Sequence, residues 1–285
     1  MATFLPSVYA FFAAAAAGCL LATVFGELRR VGTDRLTAVT LSALVATLAA
    51  AAAVVGQFGR PALLFSVFSN PGTAIFRELA SLLLALLAGA AYLAALRTGA
   101  TRRTGRKLSL LAAASGLILA LAVGSAAVQP WRPVWNTWTL VLPTAGFAWL
   151  AGVMFAKGLG ATGHKNVGPA LRLLKKAEEK TIETASEPLW ENAKLAASAP
   201  LVGLAVYFAI ASSDASARVA LASLLTCSNA SLFWAGVIVP SVLASFLAAV
   251  FASDALKRNP VLGIALATLS AFAAGAWQHL VLGLA

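Results

Sequence analysis

The chain has 285 residues, of which 60% are apolar and only 11% are charged, and its mean hydropathy is +0.87. A soluble domain carries about 25% charged residues, so this composition excludes one and indicates an integral membrane protein. The net charge of +11 has no soluble basic domain to carry it, so we expect no nucleic-acid partner.

Eight apolar stretches are long enough to cross about 30 Å of hydrocarbon as helices. They cover residues 5–25, 36–55, 79–96, 108–128, 139–156, 195–210, 231–252 and 261–284. The sequence therefore predicts an all-α bundle of eight transmembrane helices that forms one membrane domain, residues 1–285. Pro240 is expected to kink the seventh span.

The basic residues predict the orientation of these spans. No lysine or arginine precedes the first span, which is typical of an uncleaved helix inserted with its N-terminus outside. Seventeen of the 21 basic residues lie in odd-numbered connections and four in even-numbered ones. The positive-inside rule puts the odd connections in the cytoplasm and both termini outside. We expect a multi-pass protein of the cell inner (cytoplasmic) membrane, in contact with lipid.

The connection between the second and third spans holds an unusual polar set. Residues 56–78 read GQFGRPALLFSVFSNPGTAIFRE, with a Gly-Arg-Pro turn, an Asn-Pro-Gly turn and an Arg-Glu pair. Ionisable groups at membrane depth are costly and mark functional sites. Glu78 is predicted to open the third span beside Arg77. It is either a capping group paired with this arginine or a proton acceptor in an outer-leaflet pocket.

The same segment has the groups that a quinol pocket needs. Gln57 can donate or accept a hydrogen bond, and Arg60 can anchor a turn or hold a carbonyl oxygen. The ring-sized apolar groups are Phe58, Phe65, Phe68 and Phe76. The sequence contains no pattern for a redox centre, so the electrons would leave to a partner on the outer face.

The later connections carry weaker signals. The fourth, residues 129–138, reads QPWRPVWNTW and is typical of an aromatic belt at the headgroup level. The fifth, residues 158–194, is predicted to be cytoplasmic, with a polar helix over 169–194 that is either a solvated link or a docking surface. The sixth includes the apolar run 219–225, which predicts a further helix at the outer interface.

Histidine and cysteine are scarce. Of the two histidines, His164 and His279, only the second lies in a span, and one such residue cannot supply paired haem ligands. Cys19 and Cys227 are far apart and fit small packing residues better than cluster or zinc ligands. We therefore expect no haem, no iron–sulfur cluster and no metal in this chain.

Residues 56–78 resemble the HLGRP…N…S…E segment of the membrane anchor subunits of dimethyl sulfoxide reductase-type molybdoenzymes, the DmsC family. The sequence VWNTW at 134–138 resembles that family's Trp-Asn-Thr motif. The resemblance implies an anchor that oxidises menaquinol in anaerobic respiration. Its partners would be an iron–sulfur electron-transfer subunit and a molybdopterin catalytic subunit, so this chain would serve an oxidoreductase without holding its catalytic centre.

The resemblance also implies roles for particular residues. Glu78 would accept a proton, Gln57 and Arg60 would contact the quinol, and Trp135 and Asn136 would close the pocket. Gln57 falls where the family often has histidine, and glutamine cannot accept a proton near neutral pH. The proton therefore passes to Glu78 or to water, or the quinol site is altered or lost.

The last span departs from the family pattern, because residues 275–279 read GAWQH. Two other classes stay open beside the quinol-oxidising anchor. One is a transporter or permease, which needs polar mid-membrane sites and broken helices, and for which the spans offer groups such as Ser42, Thr47 and Ser115. The other is a structural anchor that has lost quinol binding, which is favoured by Gln57.

Overall fold

A computed structural model describes residues 4–28, 32–57, 64–128, 135–162, 193–226, 230–250 and 260–283. The regular structure in these ranges is helical. The helices are α1 Phe4–Leu28, α2 Thr33–Gln57, α3 Leu64–Val67, α4 Ala74–Arg97, α5 Arg102–Ala126, α6 Val141–Thr162, α7 Ala193–Ala211, α8 Ala215–Thr226, α9 Ala230–Val250 and α10 Pro260–Gly283. A 3₁₀ turn, Trp138–Leu140, leads into α6.

Eight helices in the described ranges are long and apolar enough to cross a membrane, which confirms the predicted all-α polytopic bundle. Each coincides with one predicted span, and the largest differences are at the helix starts. The helix α4 begins at Ala74 rather than at residue 79, because the Thr73 side chain caps it by accepting a hydrogen bond from the Phe76 amide at 3.2 Å. Hydropathy misses such a start because Arg77 and Glu78 interrupt the apolar run.

The bundle consists of two groups of four spans. One group contains α1, α2, α4 and α5, and the other contains α6, α7, α9 and α10. The helix α1 joins them, because it packs against α2 and α5 on one side and against α6 and α10 on the other. Where α1 crosses α6, a Cβ added to Gly18 would lie 2.6 Å from the Gly152 nitrogen, so this close approach requires glycine.

The helix α9 is irregular in its first half. Residues Phe233–Ile238 form a π-helical segment, in which the Val239 amide donates to the Trp234 carbonyl five residues earlier. Pro240 follows directly and has no amide hydrogen to donate, which disrupts the regular hydrogen-bond pattern at this point. The expected disturbance of the seventh span is therefore a π-helical turn just before the proline.

The short helix α8 contains the apolar run 219–225, which confirms a helix in the sixth connection. Its position at the membrane interface remains a prediction. Asp214 caps this helix, because its Oδ1 accepts hydrogen bonds from the amide and the hydroxyl of Ser216 at 2.8 and 2.6 Å. The predicted polar helix at 169–194 falls almost wholly outside the described residues, as do His164 and Cys227.

Candidate functional site

Glu78 is a buried carboxylate near one end of the bundle. Only 6% of the residue is exposed, whereas its neighbour Arg77 is exposed. Glu78 lies four residues after Ala74, which puts it about 6 Å along the helix axis from the start of α4. We call this end of the bundle the outer end, following the predicted orientation, and the opposite end the inner end.

The capping interpretation of Glu78 is wrong. Thr73 is the N-cap of α4, and no acidic residue lies in the first turn of this helix. Glu78 occupies the second turn, on the same buried stripe as Ser81, Leu82 and Ala85. In the described part of the chain, no residue donates a hydrogen bond to its carboxylate. The charge that acts on this buried acidic group is that of the neighbouring Arg77, and no described hydrogen bond explains its position.

Tyr9 of α1 faces the same region. Its side chain is 1% exposed, and its hydroxyl has no hydrogen-bond partner among the described residues. The helices α1 and α4 approach each other where a Cβ added to Gly89 would lie 3.4 Å from the Leu20 side chain. Tyr9 and Glu78 each lie eleven residues, about three turns, before these two positions, on the same faces of their helices. Tyr9 is five residues from the start of α1, so the two groups lie at similar depths from the outer ends of their helices. The sequence analysis missed Tyr9, although all three tyrosines of the chain lie in predicted spans.

A second tyrosine–glutamate pair lies at the inner end of the same two helices. Here α4 supplies the tyrosine and α1 supplies the carboxylate, and the Tyr92 hydroxyl donates to Glu27 Oε2 at 3.0 Å. The other oxygen, Glu27 Oε1, would lie 2.9 Å from a Cβ added to Gly105 of α5. The hydrogen bond of this second pair joins α1 to α4, and the Glu27 carboxylate also contacts α5.

Most of the other buried hydroxyl groups in the spans are satisfied locally, whereas that of Ser270 donates to the Phe147 carbonyl of another helix. The locally satisfied hydroxyls donate to a backbone carbonyl three or four residues earlier in their own helix, as is common for such residues in apolar helices. Examples are Thr23, Thr40, Thr47, Ser81, Ser109, Ser115 and Ser125. Besides the Tyr9 hydroxyl, the buried side-chain atoms without a partner in the described ranges are Ser245 Oγ and Trp277 Nε1.

Trp135 belongs to an aromatic cluster within the same hydrophobic core as Tyr9. Its ring stacks on Tyr207 of α7, with centroids 6.0 Å apart and planes 11° apart. Trp277 of α10 meets both rings edge to face, at 6.0 Å from Trp135 and 5.3 Å from Tyr207. Trp135 is thus a core residue, 3% exposed, that connects the fourth connection to the second group of helices.

His279 approaches α1 from another side. Its Nδ1 lies 3.0 Å from the Ser7 hydroxyl, in a hydrogen bond that joins α10 to α1. Ser7 and Tyr9 are two residues apart, and so differ by about 200° around the helix. The last span therefore meets the face of α1 opposite to the one that carries Tyr9.

The remaining predicted contacts are less enclosed. Gln57 ends α2 and is exposed, and Asn136 is exposed beside the buried Trp135. Of the expected ring-sized groups, Phe68 and Phe76 meet edge to face with centroids 6.0 Å apart. The structure does not describe Arg60, Phe58 or the side chain of Phe65.

The described helices define a polytopic α-helical membrane protein whose outer end holds a buried, unpartnered pair, Tyr9 and Glu78. We refer to these two residues as the outer pair, and to Glu27 and Tyr92 as the inner pair. Within the described residues, no group of three or more His, Cys, Asp or Glu side chains is placed to hold a metal ion. No family model, curated protein or solved structure matches the chain.

Proposed function

We propose that this chain is the quinol-oxidising membrane anchor of a respiratory oxidoreductase of the dimethyl sulfoxide reductase type. In this proposal it lies in the cytoplasmic membrane and binds menaquinol at the outer end of the bundle. It passes the electrons to an iron–sulfur subunit that serves a molybdopterin catalytic subunit. The resemblance of residues 56–78 to the family segment supports the partner assignment.

The observation that carries the proposal is the buried carboxylate of Glu78. A buried acidic side chain without a hydrogen-bond donor in an apolar helix is costly unless function retains it. Because quinol oxidation releases two protons as well as two electrons, the site needs a group that accepts a proton from a substrate hydroxyl. Glu78 is such a group, and it lies within about two helical turns of the outer end, where a proton can leave to water.

The surroundings of Glu78 fit the other needs of a quinol. The ring and tail of the substrate are apolar, and the neighbouring connection supplies aromatic side chains, among them the contacting pair Phe68 and Phe76. Gln57 ends α2, which packs against α4, and its exposed amide lies at the same end of the bundle as Glu78. The electrons cannot stay on this chain if it holds no redox centre, which requires a partner at the outer end.

The test uses the chain purified with its partner subunits. A fluorescent quinol analogue is titrated into the wild type and into Glu78→Gln, and quinol oxidation is measured in the same preparations. We expect Glu78→Gln to weaken analogue binding and to lower the oxidation rate by about 100-fold or more, the scale of a lost proton acceptor. Glu27→Gln, at the inner end, is the matched control and should leave both quantities unchanged.

A structural anchor without quinol binding is the second candidate, and it is favoured by Gln57, an exposed amide where a proton-accepting histidine would be expected. This candidate predicts that the complex assembles but that the wild type binds no quinol analogue. The absence of analogue binding, or binding that Glu78→Gln leaves intact, would refute the assigned site.

A further inference from the structure

The hydroxyl of Tyr9 has no role in the fold that the described contacts explain. A buried tyrosine hydroxyl normally finds a hydrogen-bond partner, because an unsatisfied one loses its bonds to water without replacement. Tyr92 and Glu27 show the ordinary arrangement, a hydrogen bond of 3.0 Å. The Tyr9 hydroxyl has no such bond, although Glu78 lies at the matching position on α4, three turns before the contact between Gly89 and Leu20.

We propose that Tyr9 is a substrate contact, whose hydroxyl hydrogen-bonds to the same quinol oxygen from which Glu78 accepts the proton. This inference rests on the proposed function and adds a residue that the motif at 56–78 does not contain. In this proposal the bound quinol is the hydrogen-bond partner that the Tyr9 hydroxyl lacks. It also explains why a helix distant in sequence contributes a polar group to this site.

The geometry favours one shared oxygen over two separate contacts. Tyr9 and Glu78 come from parallel helices and lie at similar depths from the outer end. They are not hydrogen-bonded to each other, so each retains the capacity to bind a third group. A phenol hydroxyl both donates and accepts, whereas an ionised carboxylate only accepts, so the two groups complement one another around a substrate hydroxyl.

The chemical step balances as follows. The O–H bond of the quinol breaks, its proton forms an O–H bond on Glu78, and Tyr9 keeps its own proton while it donates to the quinol oxygen. The second quinol hydroxyl releases its proton to water at the outer end, and the two electrons leave the ring one at a time to an iron–sulfur cluster of the partner subunit. Donation by Tyr9 stabilises the negative charge that develops on the quinol oxygen during proton loss.

The experiment measures analogue affinity in the purified complex for the wild type, Tyr9→Phe and Tyr92→Phe. Two probes are used, a hydroxyquinoline N-oxide quinol analogue and a matched compound in which hydrogen replaces the hydroxyl. We expect Tyr9→Phe to weaken binding of the hydroxyl-bearing probe by about 5-fold, the value of one neutral hydrogen bond. Binding of the matched compound should not change, and Tyr92→Phe should change neither affinity.

The two probes separate a substrate contact from a structural role. An equal loss of affinity for both probes in Tyr9→Phe would mean that the residue only shapes the site, and would overturn the proposal. An unchanged affinity for the hydroxyl-bearing probe would overturn it as well. If the wild type binds neither probe, the proposed function itself fails, and this outcome differs from failure of the Tyr9 assignment alone.

Discussion

The outer and inner pairs use the same two helices and the same two residue types. At the inner end, Tyr92 donates to Glu27 at 3.0 Å, and the pair links α1, α4 and α5. At the outer end, Tyr9 and Glu78 are both buried, whereas Glu27 is half-buried, and here the hydroxyl has no partner and no described residue donates to the carboxylate. Residue type alone therefore does not distinguish the structural pair from the candidate site.

The difference between the pairs is whether the hydrogen bond is made. A made bond stabilises the helix contact, whereas unmade bonds between buried polar groups cost stability. Proteins retain such costs at sites that bind a ligand. The outer pair should therefore respond to substitution in activity, and the inner pair in stability. This expectation makes the comparison testable.

The largest expected effect is at Glu78, where one substitution should lower the activity and raise the stability. Glu78→Leu should abolish quinol oxidation, a loss of about 100-fold or more, and should raise the free energy of unfolding by about 1 kcal/mol, because an apolar side chain replaces an unpartnered carboxylate. Activity assays and thermal unfolding in detergent check the two results. In Glu27→Leu the signs reverse, with lower stability and retained oxidation. Destabilisation by both substitutions would remove the distinction between the pairs.

The two tyrosines should differ in stability when each loses only its hydroxyl. Tyr92→Phe removes a hydrogen bond to a carboxylate and should cost about 1.5–3 kcal/mol of unfolding free energy. Tyr9→Phe removes an unpartnered hydroxyl, and a change within about 0.5 kcal/mol is expected. Equilibrium unfolding of the purified chain measures both. A cost at Tyr9 that equals the cost at Tyr92 would contradict the assignment of the outer hydroxyl to a ligand.

A smaller effect tests the wider contacts of the inner pair. The Cβ of Gly105→Ala would lie 2.9 Å from Glu27 Oε1, so the carboxylate must shift and its bond to Tyr92 weakens. In the Tyr92→Phe background this bond is already absent. Gly105→Ala should therefore cost about 1 kcal/mol less unfolding free energy there than in the wild type. A double-mutant cycle measures this coupling. Gly72→Ala is the control, since nothing lies within 4 Å of its added Cβ, and additivity at Gly105 would argue against the contact.

The smallest effect concerns a carboxylate that is hydrogen-bonded but exposed. The hydrogen bonds from Ser216 hold the pKa of Asp214 below its usual value. The cap is therefore formed above the ordinary aspartate pKa and is lost as the pH falls through the lowered pKa. The α8 amides should lose protection from hydrogen exchange in this pH range, after the exchange rates are corrected for their intrinsic pH dependence. Asp214→Asn caps without titrating, and an equal loss in this variant would exclude Asp214 as the cause.

Much of the architecture follows from local properties of the sequence. Hydropathy locates all eight spans, because each must bury its own backbone polar groups in a helix and cover itself with apolar side chains. The start of α4 is the clearest error, and it matters because it made Glu78 look like a cap. The Thr73 cap lies outside the apolar window, so a hydropathy reading begins the helix one turn late.

The candidate site was only half predictable. Glu78 stands out in the sequence because an acidic residue in an apolar stretch is rare. Tyr9 does not, because a tyrosine in a span is compatible with an interfacial belt, with core packing or with a ligand contact. The role of Trp135 stays a prediction, and what the sequence did not show is that its ring packs on Tyr207 and Trp277.

The sequence by itself determined the class of protein, the number of spans and the presence of an acidic residue near one end of the third span, because these depend on composition over short stretches. Only the tertiary structure decided which polar groups meet. Tyr9 and Glu78 are 69 residues apart in the chain, and their proximity depends on how α1, α2, α4 and α5 pack around small residues. Whether a buried hydroxyl is bonded or free is a property of that assembly, and it separates the candidate site from the structural pair.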